Sequence, residues 1–237
     1  MKRERIRSFW NKPSHAAYLF IAPAGILLFV FCIIPLMASL VISTFKMGVD
    51  FHSADFIAFD NYVKIFKDRQ FINSFWVTLK FSLIETPLQM LIGIIISAII
   101  AKNNFFNRCV RSIYFLPVIT SAVTVGIMWQ MLLHSNVGLF TWWLQILGFG
   151  KINLLNDPNT ALYAVIGVSL WRSFGISTII LVSAIQNVPI DYYEAAELDG
   201  ASKIRQFFSI TLPDIMPAVW FLLMTRIIGS LQVFDII

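Results

Sequence analysis

Long uncharged apolar runs alternate along this chain with short polar ones. From Pro13 to Phe45 there is no charged residue. The run exceeds the about 20 residues that cross a bilayer and is too long for the core of a signal peptide. It predicts a retained first transmembrane helix over residues 18–45, kinked or delimited at Pro23 and Pro35. Lys46 to Phe71 is polar and long enough for a small structured loop outside the membrane. Further apolar runs predict spans near Ile72 to Ala101, Ser112 to Leu133, Thr160 to Gln186, and from Ile215 onward. A short basic loop, Lys102 to Arg111, separates the second and third spans. His134 to Asn159 carries Trp142 and Trp143 and reads as an interfacial stretch. The expected architecture is all-α: a polytopic transmembrane helix bundle with a basic tail over residues 1–17, five visible spans, and a core over residues 72–237.

Composition narrows the class. Hydrophobic residues make up 58% of the 237 and charged residues 13%, with a mean hydropathy of +0.76. A soluble domain of this size has too little interior for that much apolar surface. The net charge of +5 is scattered or flanks apolar runs, which reports membrane orientation and not nucleic-acid binding. With the N-terminus inside, the inner segments hold Lys2, Arg3, Arg5, Arg7, Lys12, Lys102, Arg108, Arg111, Lys203 and Arg205. The outer ones hold Lys46, Lys64, Lys67, Arg69 and Lys151. This two-to-one bias places the N-terminus and the segment around Glu194 in the cytoplasm. Cys32 and Cys109 form no disulfide framework, and His15, His52 and His134 are too far apart in sequence to suggest a metal site. Phosphate-binding loops, dinucleotide turns, His-Glu-x-x-His and nucleophile elbows are all missing from the sequence. Nothing points to an enzyme or to a cofactor held by this chain.

One long charged run interrupts the lipid-soluble sequence, Asp191 to Pro217. Asp191 with Glu194 three residues on suggests a helix start akin to a capping box, after Pro189. Ala195 and Ala196 favour helix and leave room for close approach by another surface. Gly200 supplies the left-handed turn that ends a helix. A second short helix, starting near Ser202, is expected to carry Ile204, Phe207, Phe208 and Thr211 or Leu212 on one face until Pro213 and Pro217 stop it.

Glu194-Ala195-Ala196, Asp199-Gly200-Ala201 and Ile210-Thr211-Leu212-Pro213, in that order and spacing, resemble the cytoplasmic loop of the membrane subunits of binding-protein-dependent ABC importers. The resemblance is to the carbohydrate branch, the maltose-type and glycerol-phosphate-type permeases, and it extends to Asn61-Tyr62, Leu116-Pro117, Trp129 and Phe234-Asp235. It implies a bacterial-type inner membrane protein whose loop over residues 187–214 couples to separate ATPase subunits that bind ATP and Mg. It also implies a second, homologous permease and an external solute-binding protein. The coupling residues would be Glu194, Ala195, Ala196, Asp199, Gly200, Ala201, Ile210, Leu212 and Pro213. The fifth apolar run is still under way at Ile237, and the resemblance implies a sixth helix, so the chain reads as an incomplete copy of the family's domain. An ATP-independent channel or secondary transporter would leave the loop motif unexplained, and a permease for a non-sugar solute shares parts of it.

Charge at membrane depth is costly and marks pathways or internal ion pairs. Lys80, Glu85, Arg172 and Arg226 fall there, with Trp129, Trp171 and Phe174 as candidate stacking surfaces for a sugar ring. Lys80 and Glu85 lie about 140° apart around a helix and do not face each other. These residues equally suit snorkelling, pairing with another helix, or packing.

Overall fold

The computed structural model describes residues 13–48, 54–148, 150 and 153–232. Most of the basic tail, Lys151 and the Phe234-Asp235 pair lie outside the described residues. The chain divides into two compact units at Asn73, and each is taken in turn.

The first unit opens with α1, Pro13–Leu28, and α2, Ile34–Ile42, joined by a π turn over Phe29–Ile33. Pro23 lies inside α1. Pro35 follows the π turn directly, and the Ile34 N–H reaches back to the Phe29 carbonyl, five residues away. A proline ring clashes with the carbonyl four residues earlier and offers no N–H, and one widened turn relieves both problems. Neither proline therefore delimits the span, which runs unbroken over Ala17–Ile42.

The polar loop contains a feature that hydropathy did not announce, a small antiparallel hairpin. β1, Phe45–Met47, pairs with β2, Ala54–Phe56, placing Lys46 opposite Asp55. α3, Asp60–Lys67, follows. Asn61 Nδ2 donates to the carbonyls of Ser43 and Phe45 at 2.9 and 3.0 Å, and the Tyr62 hydroxyl meets Ser43 Oγ at 2.6 Å. The Asn61-Tyr62 pair thus pins α3 to the root of the hairpin.

In the second unit the long helix α4, Arg69–Ile100, and α8, Ala161–Gln186, are the uninterrupted apolar spans. The expected third span is broken. α5, Phe105–Ile119, meets α6, Ala122–Leu132, at 97°, because Thr120 and Ser121 are both extended, with ψ of 138° and 137°. The expected basic loop is also shorter than its charges suggested. Asn104 caps α5 by accepting from the Asn107 N–H, which puts Arg108 and Arg111 on the helix, Arg111 donating to the Lys102 carbonyl. α7, Leu139–Ile146, carries Trp142 and Trp143 outward. The last span is bent as well: the helical run Lys203–Asp214 turns by 66° into α12, Met216–Leu231. The described residues thus hold three uninterrupted spans and two bent pairs, in keeping with a five-span helical bundle.

α8 is the central element of this unit. Gly175 sits where any Cβ would collide with the Tyr114 carbonyl of α5, so the two backbones touch. A Cβ on Gly93 of α4 would lie 3.2 Å from Ser177 Cβ, so α4 also approaches α8 closely. One apolar cluster, Met90, Leu181, Val188, Ile215 and Leu222, joins α4, α8, α12 and the segments flanking the charged run. A second, Val125, Leu133 and Val168 with Trp129 packed on it, joins α6 to α8.

Candidate functional site

The charged run folds as an elbow. α9, Ile190–Leu198, starts after Pro189, which is itself the N-cap with extended ψ. Asp191 therefore lies in the first turn and makes no cap; it acts only as a negative charge near the positive helix end. At the other end Gly200 has φ +73°. Its N–H donates to the Glu197 carbonyl at 3.0 Å, and the Ala201 N–H donates to the Ala196 carbonyl at 2.9 Å. This pair of bonds is a Schellman closure, which requires a left-handed residue at the position Gly200 holds. Lys203 pairs with Glu197 across the turn. The Lys203 ammonium holds the Glu197 carboxyl below the usual carboxylate range. The pair therefore persists at neutral pH and opens as pH falls through that depressed value.

The second arm begins at Ser202, whose Oγ accepts from the Arg205 N–H. It comprises α10, Lys203–Gln206, a second π turn, Phe207–Thr211, and α11, Leu212–Asp214. Helix continues through Pro213, since the Leu212 N–H reaches back to the Phe207 carbonyl, and the break falls later, at Ile215. Burial also departs from the expected face. Ile204 and Phe208 are exposed, whereas Gln206, Thr211 and Ile215 are buried and Ile210 packs on the core cluster. Gln206 satisfies its buried amide by donating to the Ala201 carbonyl at 3.1 Å. Tyr193 ties the arms together through a 2.8 Å bond between its hydroxyl and Thr211 Oγ1.

The elbow is fixed on its inner side and bare on its outer side. Glu194, Ala195, Asp199, Gly200 and Pro213 are exposed, while Ala196, Ala201, Ile210 and Leu212 are half-buried. Leu198 is 91% exposed, with Ile190, Tyr192 and Ile204 also open.

A second constellation lies inside the bundle. On α4 the residues Ser82, Glu85, Thr86, Gln89, Gly93 and Ser97 are buried at helical spacing. Glu85 and Gln89 meet Ser169 and Ser177 of α8, and Ser82 and Thr86 meet Ser230 of α12, through hydrogen bonds. Ser82 meets Ser230 at 2.6 Å, Ser169 donates to Glu85 at 3.2 Å, and Gln89 donates to Ser177 at 3.3 Å. Arg226 donates to the Ser173 carbonyl at 3.5 Å, and the Ser173 hydroxyl donates to the Ser169 carbonyl. Buried hydroxyls and a buried carboxylate depend on one another, so removing one partner strands the other. Ser82→Ala and Ser230→Ala should each lower the melting temperature of the purified protein. A double-mutant cycle should return a coupling of about 0.5–1.5 kcal/mol.

Of the sequence-selected charges, Glu85, Arg172 and Arg226 come together, Arg226 lying within electrostatic reach of both others. Lys80 is exposed on α4 and does not join them. Trp129 stacks edge-on to Trp171 at 5.5 Å and Phe140 at 6.1 Å, and Phe174 to Tyr114 at 5.2 Å. Trp129 Nε1 and Arg172 Nε are buried without a hydrogen-bond partner among the described residues. The serine, threonine and glutamine seam was missed in the sequence because a hydropathy window averages such residues away; their three-and-four spacing was the available signal.

Comparison with known proteins decides the family. Residues 89–237 match the model for the inner membrane component of binding-protein-dependent transport systems. The chain belongs to that family. This permease is 32% identical to the trehalose/maltose transport system permease protein MalF of Thermococcus litoralis, over 93% of its own length and 75% of the relative's. It is 30% identical to the sn-glycerol-3-phosphate transport system permease protein UgpA of Escherichia coli O157:H7, over 89% and 71% of the two chains. Among solved structures, it matches a bacterial alginate ABC transporter captured with an alginate pentasaccharide-bound periplasmic protein. That match has a TM-score of 0.81 at 25% identity and covers 97% of this chain and 75% of that one. The permease is thus a multi-pass membrane transport subunit whose relatives are transporters, not enzymes.

Proposed function

We propose that this permease forms half of a translocation pathway for a saccharide or sugar derivative. It would work with a second, similar permease, an external solute-binding protein, and ATPase subunits docked on the elbow. The N-terminus and the elbow lie on the cytoplasmic side, the loops over residues 46–71 and 134–159 on the opposite side, and the spans contact lipid. ATP and Mg are held by the ATPase subunits. The cargo class follows the relatives, named for trehalose/maltose, glycerol 3-phosphate and alginate transport.

The single observation that carries the reading is the elbow's two-sided construction. Its inner face is anchored by Tyr193, Gln206 and Ile215, and its outer face presents Glu194, Ala195 and Leu198 to whatever docks there. An anchored arm with a bare tip transmits displacement to the spans attached at either end, Gln186 through Val188 on one side and Ile215 on the other. In this mechanism ATP-driven closure of the ATPases draws the elbows together. The attached spans then rock between inward-open and outward-open states about a midplane site. Glu194 faces a basic residue on the ATPase, and Ala195 and Ala196 permit close packing.

Glu194→Lys should release the ATPase during co-purification while membrane insertion is unchanged, because Glu194 is exposed and none of the bundle's packing depends on it. Recovery of the ATPase equal to wild type would remove Glu194 from the docking surface.

A further inference from the structure

We infer that the cargo of this permease carries a negative charge, a carboxylate, phosphate or sulfonate on a sugar skeleton, received by Arg172 and Arg226. The inference rests on the saccharide-permease reading and deepens it.

The argument is one of charge at membrane depth. Glu85 sits at the middle of α4 and Arg172 at the middle of α8, and Arg226 lies within α12. Two guanidiniums, groups that keep their charge in proteins, are gathered with one carboxylate, Arg226 acting on both of the others. That carboxylate is 4% exposed and accepts from Ser169, and it carries one negative charge against two positive ones. Among the described residues neither arginine forms an ion pair. Arg226 reaches only a long contact with the Ser173 carbonyl, and Arg172 Nε is buried without a partner. Among the described residues at least one positive charge is left over at membrane depth, and such a charge calls for an anion.

Two features favour a solute over an acidic side chain of the neighbouring permease. Both arginines are half-buried, whereas Glu85 is buried. Arg172 also directly follows Trp171, which is exposed and meets Trp129 edge-on. An exposed indole on the same helical turn as a guanidinium fork suits a ring with an anionic substituent: the ring packs on the indole, and the fork takes two oxygens at once.

The assembled importer, with its binding protein, partner permease and ATPases in proteoliposomes, is offered a panel of radiolabelled maltose, trehalose, glycerol 3-phosphate and digalacturonate. Uptake should be confined to anionic members. Arg172→Gln and Arg226→Gln should each lower it about tenfold or more, as expected for losing a charge-assisted contact. Arg172→Lys, which keeps the charge but not the fork, should retain an intermediate rate, and size-exclusion profiles report whether each variant is assembled. Uptake of neutral members alone, or anionic uptake indifferent to both glutamine variants, would overturn the inference and leave the saccharide-permease reading intact. Wild-type uptake of no panel member would overturn both. Should the variants fail to assemble, competition between neutral and anionic members in the wild type decides the matter by the same criterion.

Discussion

Gly175→Leu should abolish assembly of the bundle, and Gly175→Ala should weaken it in the same direction. The reason is a backbone contact and not a side-chain one. A Cβ at residue 175 runs into the Tyr114 carbonyl, with Val118 Cγ2 at 3.2 Å closing the other side. The carbonyl belongs to the interior of α5 and can yield only if the whole helix moves off α8, which would also part Tyr114 from Phe174. Overpacking of this kind costs about 1–3 kcal/mol for a small addition and more for a leucine. Gly167 provides the control. It lies on the same helix with nothing within 4 Å of its would-be Cβ. Gly167→Ala should therefore be neutral or stabilising by up to about 1 kcal/mol through helix propensity. The measurement is the melting temperature and monodispersity of each detergent-solubilised variant. A Gly175→Leu protein that melts with wild type would show that α5 and α8 do not touch at this point.

Gly200→Pro should uncouple the transporter without unfolding it. Proline fixes φ near −65° and has no N–H, whereas the turn requires φ of +73° and the bond from Gly200 to the Glu197 carbonyl. The substitution therefore opens the Schellman closure and changes the angle between α9 and α10. Nothing lies within 4 Å of the position, so the bundle loses no packing and the melting temperature should hold. ATP-driven uptake should fall by about five- to 150-fold, the range of a typical coupling free energy between sites. Gly200→Asn, which tolerates the left-handed region better than other residues, should fall less. Wild-type uptake by the proline variant would contradict the elbow's assignment as the coupling element.

How much of this was legible depended on the kind of signal. The unbroken spans were legible because Ala17–Ile42, Arg69–Ile100 and Ala161–Gln186 are continuous apolar runs closed by polar residues. The turn at Gly200 was legible because one residue type dominates that conformation. The sharp bend between α5 and α6 was not, since Leu116 to Leu133 contains no charge to punctuate it. Its only marks are Pro117 and a pair of ordinary polar residues in extended conformation. The meeting of Glu85 with Arg172 and Arg226 was also hidden. Membrane depth singled out each residue, but which charges share an interior depends on helix rotation, and hydropathy carries no rotational information. Ile204 and Phe208 were misplaced for a related reason, because the expected face assumed a uniform 3.6-residue turn.

That last error leads to a consequence of the π turn at Phe207–Thr211. A π turn holds one residue more than an α turn, so everything beyond it is rotated by about 100° relative to an unbroken helix. Ile204, ahead of the turn, and Phe208, early in it, are exposed, while Thr211 at its end and Ile215 and Leu222 beyond it are buried. The surplus residue works as a phase shifter. It lets the exposed stretch around Ile204 and the stretch that meets the bundle each keep its own apolar stripe. Substitutions on one stripe are thereby insulated from the other, and the exposed face of the elbow can drift in sequence while the membrane core stays fixed.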